Sequence, residues 1–205
     1  MTRRAAAALV LALAACSPSE PKVDAGAIRD GVYHNDYFRL TLPIPANWTV
    51  EKDPSGDWTL DNLLSLLAAS DSSITDSKEV PRRKRFLLQA ISNMTFVGMG
   101  TAEMGAYTDI RIGAHCLKRV VPLLTAGKHP FRVTDEPRRL EIGGFQFDTM
   151  AFRVRLADGE IHQRVYAVVR WGYALVVVAG SSSPEGLKRA EAVVEKVLYT
   201  PKRDS

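Results

Sequence analysis

Few side chains in this 205-residue chain can do covalent or metal chemistry: two cysteines, four histidines and a run of three serines stand out. His34, His115, His129 and His162 lie far apart, with no HxxxH and no CxxC. No pair therefore has the short spacing that presents two ligands to one metal, and neither a metal site nor a cofactor is expected. His115 and Cys116 are adjacent, which on a helix turns them about 100° apart. A nucleophile would have to be Cys116 with one of the histidines, or a serine of Ser181-Ser182-Ser183 with His162. GxSxG is absent and the serine run directly precedes a helix signal, so it reads as a turn and cap. Cys116, with Ala114 and Leu117 near it on a helical pattern, reads as a small buried hydrophobe. No catalytic residue is assigned.

Cys16 is a different case, because its neighbours define its chemistry. Met1-Thr2-Arg3-Arg4 is a positive segment, and Ala5 to Ala15 is an eleven-residue apolar run ending in small side chains, the pattern of a signal peptide. The run is too short to span a bilayer, which takes about 20 residues. Leu13-Ala14-Ala15-Cys16 resembles the bacterial lipobox, in which a branched apolar residue and two small ones precede a cysteine that is acylated before cleavage. One acyl chain holds a protein marginally and two or more hold it stably. A lipobox cysteine is expected to carry two or three, palmitate among them. The chain is thus expected to be lipid-anchored through Cys16 in the cell envelope, facing the periplasm or the outside, with no transmembrane helix. Ser17 is not the aspartate that favours inner-membrane retention in some Gram-negative bacteria, and inner and outer membrane both stay open. Once Cys16 is acylated only Cys116 remains, so no intrachain disulfide is expected.

Charge excludes some partners. Arg3 and Arg4 are two of 27 basic side chains; without them 25 face 23 acidic ones, a net charge of +2. That is too mild for a nucleic-acid binder. Arg82-Arg83-Lys84-Arg85 is the one notable basic cluster. It is a candidate contact for anionic headgroups or lipopolysaccharide, with a solvated loop as the alternative. Trp58, Trp171 and Tyr107 are candidates for a ligand-contacting patch, with core as the alternative.

These residues need a scaffold, and 46% hydrophobic with 24% charged residues suffices for one core. The expected organisation is a signal peptide over 1–15, a lipidated flexible tether over 16–30 and a single globular domain over 31–201. Tyr37 to Leu42 alternates as a strand, Pro43 and Pro45 end it, and Trp48-Thr49-Val50 starts another. Leu60, Leu63, Leu64 and Leu67 predict a helix, 70–80 a loop, and Phe86 to Ile91 and Thr95 to Met99 strands. A second helix runs from Asp109 to near Val121, before Pro122. Phe145 to Leu156, Glu160 to Arg170 and Tyr173 to Ala179 form an antiparallel meander, with a bulge where alternation slips near Met150 and Ala151. In the middle run Ile161, Gln163, Val165, Ala167 and Val169 share one face, and His162, Arg164, Tyr166, Val168 and Arg170 the other. Ser183-Pro184-Glu185 caps a last helix with Leu187, Ala190, Val194, Val197 and Leu198 as its buried stripe and Pro201 as its stop. The predicted class is α+β, an antiparallel sheet of about six strands packed with about three helices.

Two segments resemble the PsbP-like family of α+β sandwich domains, which includes DcrB-type bacterial lipoproteins. The first is Tyr33 to Val50, where an aromatic strand runs into Leu42-Pro43-Ile44-Pro45-Ala46-Asn47-Trp48. The second is Gln163 to Leu198, with Tyr166, Tyr173-Ala174-Leu175 and the capped final helix. Both are structural signals, a Trp plugging a strand corner and a helix across a sheet. The resemblance implies no catalytic residues, since members are mainly non-enzymatic accessory or binding proteins. The expected function is a cell-envelope lipoprotein with a non-catalytic binding or accessory domain, with an envelope protein or component as partner. Two rivals remain: a small envelope enzyme using Cys116 or a histidine, and a secretion-associated chaperone or immunity-like protein.

Overall fold

The computed structural model describes residues 23–51, 84–103, 117, 131–156 and 159–200. The expected helices over 60–67 and 109–121 lie outside them, apart from Leu117, which is buried. So do the lipobox and the stop at Pro201.

The described chain is mainly β, with eleven strands in two sheets where about six in one were expected. β1 (Ala27–Arg29), β2 (Val32–Asn35), β3 (Leu40–Pro43) and β11 (Leu198–Tyr199) form a small sheet in that order. β4 (Thr49–Glu51), β5 (Lys84–Ser92), β6 (Thr95–Glu103), β7 (Phe131–Ile142), β8 (Phe145–Leu156), β9 (Gly159–Arg170) and β10 (Tyr173–Ser181) form the large one, ordered β4-β5-β6-β10-β9-β8-β7. Every neighbouring pair is antiparallel. The helix α1 (Pro184–Val194) is the one helix described in full.

β10 occupies the middle position, and its near-continuous apolar sequence follows from burial on both faces. Leu175, Val177 and Ala179 enter one cluster, and Ala174, Val176 and Val178 the other. β9 divides as its alternation predicts, Tyr166 and Val168 to the first cluster and Val165 and Ala167 to the second. The first cluster is closed by Tyr33, Phe38, Leu40 and Leu42 of the small-sheet segment and by Ala190, Val193 and Val194 of α1. Trp48 packs half-buried against it, so the corner Trp and the last helix share one core as expected.

Three details differ from the sequence reading. Alternation in β8 does not slip: Phe145 and Phe147 enter the first cluster and Met150, Phe152 and Val154 the second. The irregularity lies in the facing edge strand β7, where register shifts twice between Val133 and Arg138 around Pro137. Proline cannot donate to a ladder, and edge bulges are where it is tolerated. Residues 36–39 form a turn, so the predicted strand begins only at Leu40. At the C-terminus α1 ends at Val194, because Lys196 N–H to Val193 O (3.1 Å) and Val197 N–H to Val194 O (2.9 Å) tighten the last turn. Leu198 then falls in β11 and is 55% exposed instead of buried.

The N-terminus of α1 matches its signals. Ser183 Oγ accepts from Gly186 N–H at 3.0 Å, with Pro184 in the first turn and Glu185 as its acid. The described structure also starts early: Val23 is buried and Ala27–Arg29 pairs with β2, inside the stretch read as tether.

One polar bridge ties α1 to the sheet. Arg164 Nε donates to Glu191 Oε1 at 2.6 Å and its NH1 to Asp135 Oδ2 at 2.9 Å. Asp135, Ala151 and Arg164 are register partners across β7, β8 and β9, and the small Ala151 lets the guanidinium reach over. Burial works against the Arg164 charge, but Glu191 and Asp135 outweigh it and hold its pKa above the ordinary value. Arg164→Met should cost about 2 kcal/mol, below the roughly 3–5 of a fully buried pair, because Glu191 and Asp135 keep 21% and 39% exposure. Urea unfolding reads this, and Glu191→Gln added to that variant should be close to neutral. An unchanged urea midpoint for the single variant would refute the bridge.

Candidate functional site

Among the described residues one candidate pair is brought together: Ser181 and His162 are register partners across β10 and β9, each with its own side-chain partner. Cys16, Arg82, Arg83, Cys116, His115, His129, Trp58 and Tyr107 lie outside the described residues. Lys84 starts β5, and next to it the Arg85 guanidinium donates to the Val23 carbonyl. Ser183 is a helix cap, and Ser181 is buried with its Oγ 3.1 Å from Thr95 Oγ1. His162 Nε2 lies 3.7 Å from Glu160 Oε2. Among the described residues, no three His, Cys, Asp or Glu side chains gather as for a metal.

The large-sheet end that carries the β9–β10 turn gathers aromatic rings and guanidinium groups. Trp171-Gly172 joins these strands with φ +50° and +79°, as a type I′ turn requires. A left-handed conformation suits Asn or Gly, and a bulky residue adopts it only at a cost. Trp171 is nevertheless there, 49% exposed. Tyr37 OH donates to the Trp171 carbonyl at 3.0 Å, and the Tyr37 ring meets those of Trp171 and Tyr173 edge-on at 5.7 and 5.4 Å. Arg39 lies 5.4 Å from the Trp171 ring centre. Arg170 lies 4.4 Å from that of Tyr199, 4.6 Å from Phe145 and 5.8 Å from Trp171. Such cation–π contacts, about 0.5–2 kcal/mol each, hold both guanidiniums beside the exposed indole.

Beside it, behind Arg39, opens a cavity of about 440 Å³ lined by His34, Asn35, Asp36, Arg39, Thr41 and Thr200. Its floor is ordered by Asn35, whose Oδ1 accepts from Phe38 N–H at 2.9 Å and whose Nδ2 donates to the Asp24 carbonyl and to Tyr33 OH, both at 3.2 Å. Burial pushes the Tyr33 phenol up to about 12, with the Asn35 bond working the other way and Asp24 adding to the rise. Burial likewise raises Tyr166, helped by the charge of Glu191 and opposed by that of Arg164. Both phenols are therefore neutral at physiological pH.

This sheet end offers recognition groups: guanidiniums for anionic oxygens and ring faces for apolar or cationic surfaces. From sequence alone Trp171 stands with Trp58 and Tyr107 as a candidate, and Tyr37, Arg39, Arg170 and Tyr199 are not marked as site residues. The legible signal was Trp171 before Gly172, a Trp where a two-residue hairpin ordinarily carries Asn or Asp.

No family model and no curated protein matches the chain. Among solved structures it is similar to the cyanobacterial PsbP (CyanoP) of Synechocystis sp. PCC 6803, at 12% identity and a TM-score of 0.49 over 85% of this chain and 96% of that one. It is also similar to LpqN, a protein involved in cell envelope biogenesis of Mycobacterium tuberculosis, at 13% identity and a TM-score of 0.47 over 79% and 83%. A third similarity, to protein PA94 of Pseudomonas aeruginosa, has 12% identity and a TM-score of 0.39 over 58% and 84%.

Proposed function

We propose that this chain is a cell-envelope lipoprotein, anchored through acyl chains on Cys16, whose domain is a non-catalytic binding or accessory module. Leu13-Ala14-Ala15-Cys16 carries the reading, because the motif closes an apolar run of signal-peptide length behind Arg3 and Arg4. Two or three acyl chains would make the attachment stable without a spanning helix. Among the described residues no helix is long and apolar enough to cross a membrane.

The domain's part is recognition. The Trp171 end presents a half-exposed indole between two guanidiniums, beside a polar cavity, which suits a protein or envelope component as target. The PsbP-like and DcrB-type reading belongs to the same proposal and rests on the proline corner at Leu42 to Trp48 and the capped closing helix. The test is metabolic labelling with an alkyne fatty acid. Cys16→Ser should lose the label completely and accumulate as uncleaved precursor, and unchanged labelling overturns the proposal.

A further inference from the structure

We infer that the Trp171 end of the domain docks on the anionic headgroup surface of the membrane that holds the chain, with Trp171 inserted between headgroups; this rests on the lipid anchor at Cys16 proposed above. The placement follows from where the tether enters. Val23 is seven residue steps from Cys16, a reach of about 25 Å at full extension. The twelve-residue strands of the large sheet are about 40 Å long. The tether therefore keeps the sheet end at its entry point within about 25 Å of the bilayer, while the opposite end, about 40 Å away, is under no such constraint.

Val23 is held at the Trp171 end. Its carbonyl accepts from Arg85, and Arg85 pairs with Thr101 near the end of β6, two residues from Glu103, which pairs with Tyr173 beside the Trp171 turn. Asp24 is fixed there too, since its Oδ2 accepts from Tyr37 N–H at 3.2 Å and Tyr37 OH reaches the Trp171 carbonyl. The tether thus ends at the same end of the large sheet as the exposed indole.

The chemistry of this end fits a headgroup layer. Trp is amphipathic and settles at the membrane interface, where its ring is apolar and its N–H stays wet. Arg39 and Arg170 flank it, and each basic side chain close to an anionic leaflet strengthens attachment about fivefold. Two carboxylates here already accept internal hydrogen bonds, Asp24 from Gly26 and Tyr37 and Glu141 from Gln146, while Asp36 and Glu103 flank the patch. Docking is therefore modest in charge and depends on the indole. A Trp kept in a left-handed turn position, where Asn would be less strained, is what such a role would select.

The test uses the full lipidated chain, purified from membranes and reconstituted in vesicles of phosphatidylcholine with about one third phosphatidylglycerol, both carrying brominated acyl chains. Bromine should quench a tryptophan component that Trp171→Phe removes. On neutral phosphatidylcholine vesicles, or with Arg39→Ala and Arg170→Ala together, that quenching should fall several-fold while the chain stays vesicle-bound. Trp171→Asn, which suits the turn, should melt within a few degrees of wild type and lack the component, separating docking from folding. The mass of the N-terminal peptide is measured on the same sample. An unacylated Cys16 overturns both the anchor and the docking. An acylated chain whose quenching is the same with and without Trp171 overturns the docking alone. So does a Trp171 shielded from bromine and iodide alike, which would mark a protein partner or a second copy on this surface.

Discussion

Without residues 183–205 the domain is expected to lose its cooperative unfolding transition altogether. This segment supplies Ala190, Val193, Val194 and Val197 to the first cluster, all buried, with Leu187 and Tyr199 packed against it. Burial of each valine is worth about 1.5 kcal/mol or more, and the group together approaches the roughly 5–15 kcal/mol that stabilises a whole domain. The loss goes beyond area. β11 pairs with β3, Tyr199 N–H donates to the Gly143 carbonyl at 2.8 Å and Thr200 N–H to the Arg39 carbonyl at 2.9 Å. Removing the segment exposes one face of the large sheet and an edge of the small one. Calorimetry of the truncated chain should show no unfolding peak. A cooperative transition at a similar temperature would refute the single-core account.

Gly143→Ala is expected to be the most damaging single methyl addition in the β7–β8 turn. Gly143 has φ +54°, and a Cβ there would sit 1.8 Å from the Val197 carbonyl oxygen and 2.9 Å from the Leu198 Cα. Both are backbone atoms, pinned by the Tyr199 hydrogen bond to Gly143 itself, so neither can rotate away. Alanine at positive φ costs upwards of about 1 kcal/mol, and overpacking adds about 1–3. The sum of about 3 kcal/mol corresponds to a fall in Tm of about 6–12 °C for a domain of this size. Gly172→Ala is the control. Its φ is +79° but a Cβ there would meet nothing within 4 Å, so it should cost only about 1 kcal/mol. Equal losses for the two variants would show that conformation alone, and not the contact with β11, sets the cost.

Features governed by neighbours along the chain are legible in the amino-acid order alone. The β8–β9–β10 meander follows from a period of two and from short turns, and α1 from a serine, a proline and an acid in succession; both signals act within a few residues. The split of β9 into two faces is equally readable, because alternation fixes it whatever lies above or below. The edge strand β7 is not. Phe131–Ile142 carries Arg132, Asp135, Glu136, Pro137, Arg138 and Arg139, and only pairing with β8 makes it a strand. Alternation survives only at its ends, Phe131 to Thr134 and Leu140 to Ile142, and the charges and proline that an edge strand tolerates interrupt it between them.

By itself, then, the sequence determined the meander and the capped helix, because each depends on a few consecutive side chains. The tertiary structure alone decided that 36–39 turns before β3, that the small sheet and α1 share one core, and that Trp171 meets Tyr37 across 134 residues of chain. Arg39 likewise reaches the Trp171 ring, and Phe145 and Tyr199 meet Arg170, the chain neighbour of Trp171, from two further segments. Such meetings are set by which sheet faces must be buried against each other once the chain has closed, a condition that composition and spacing do not encode.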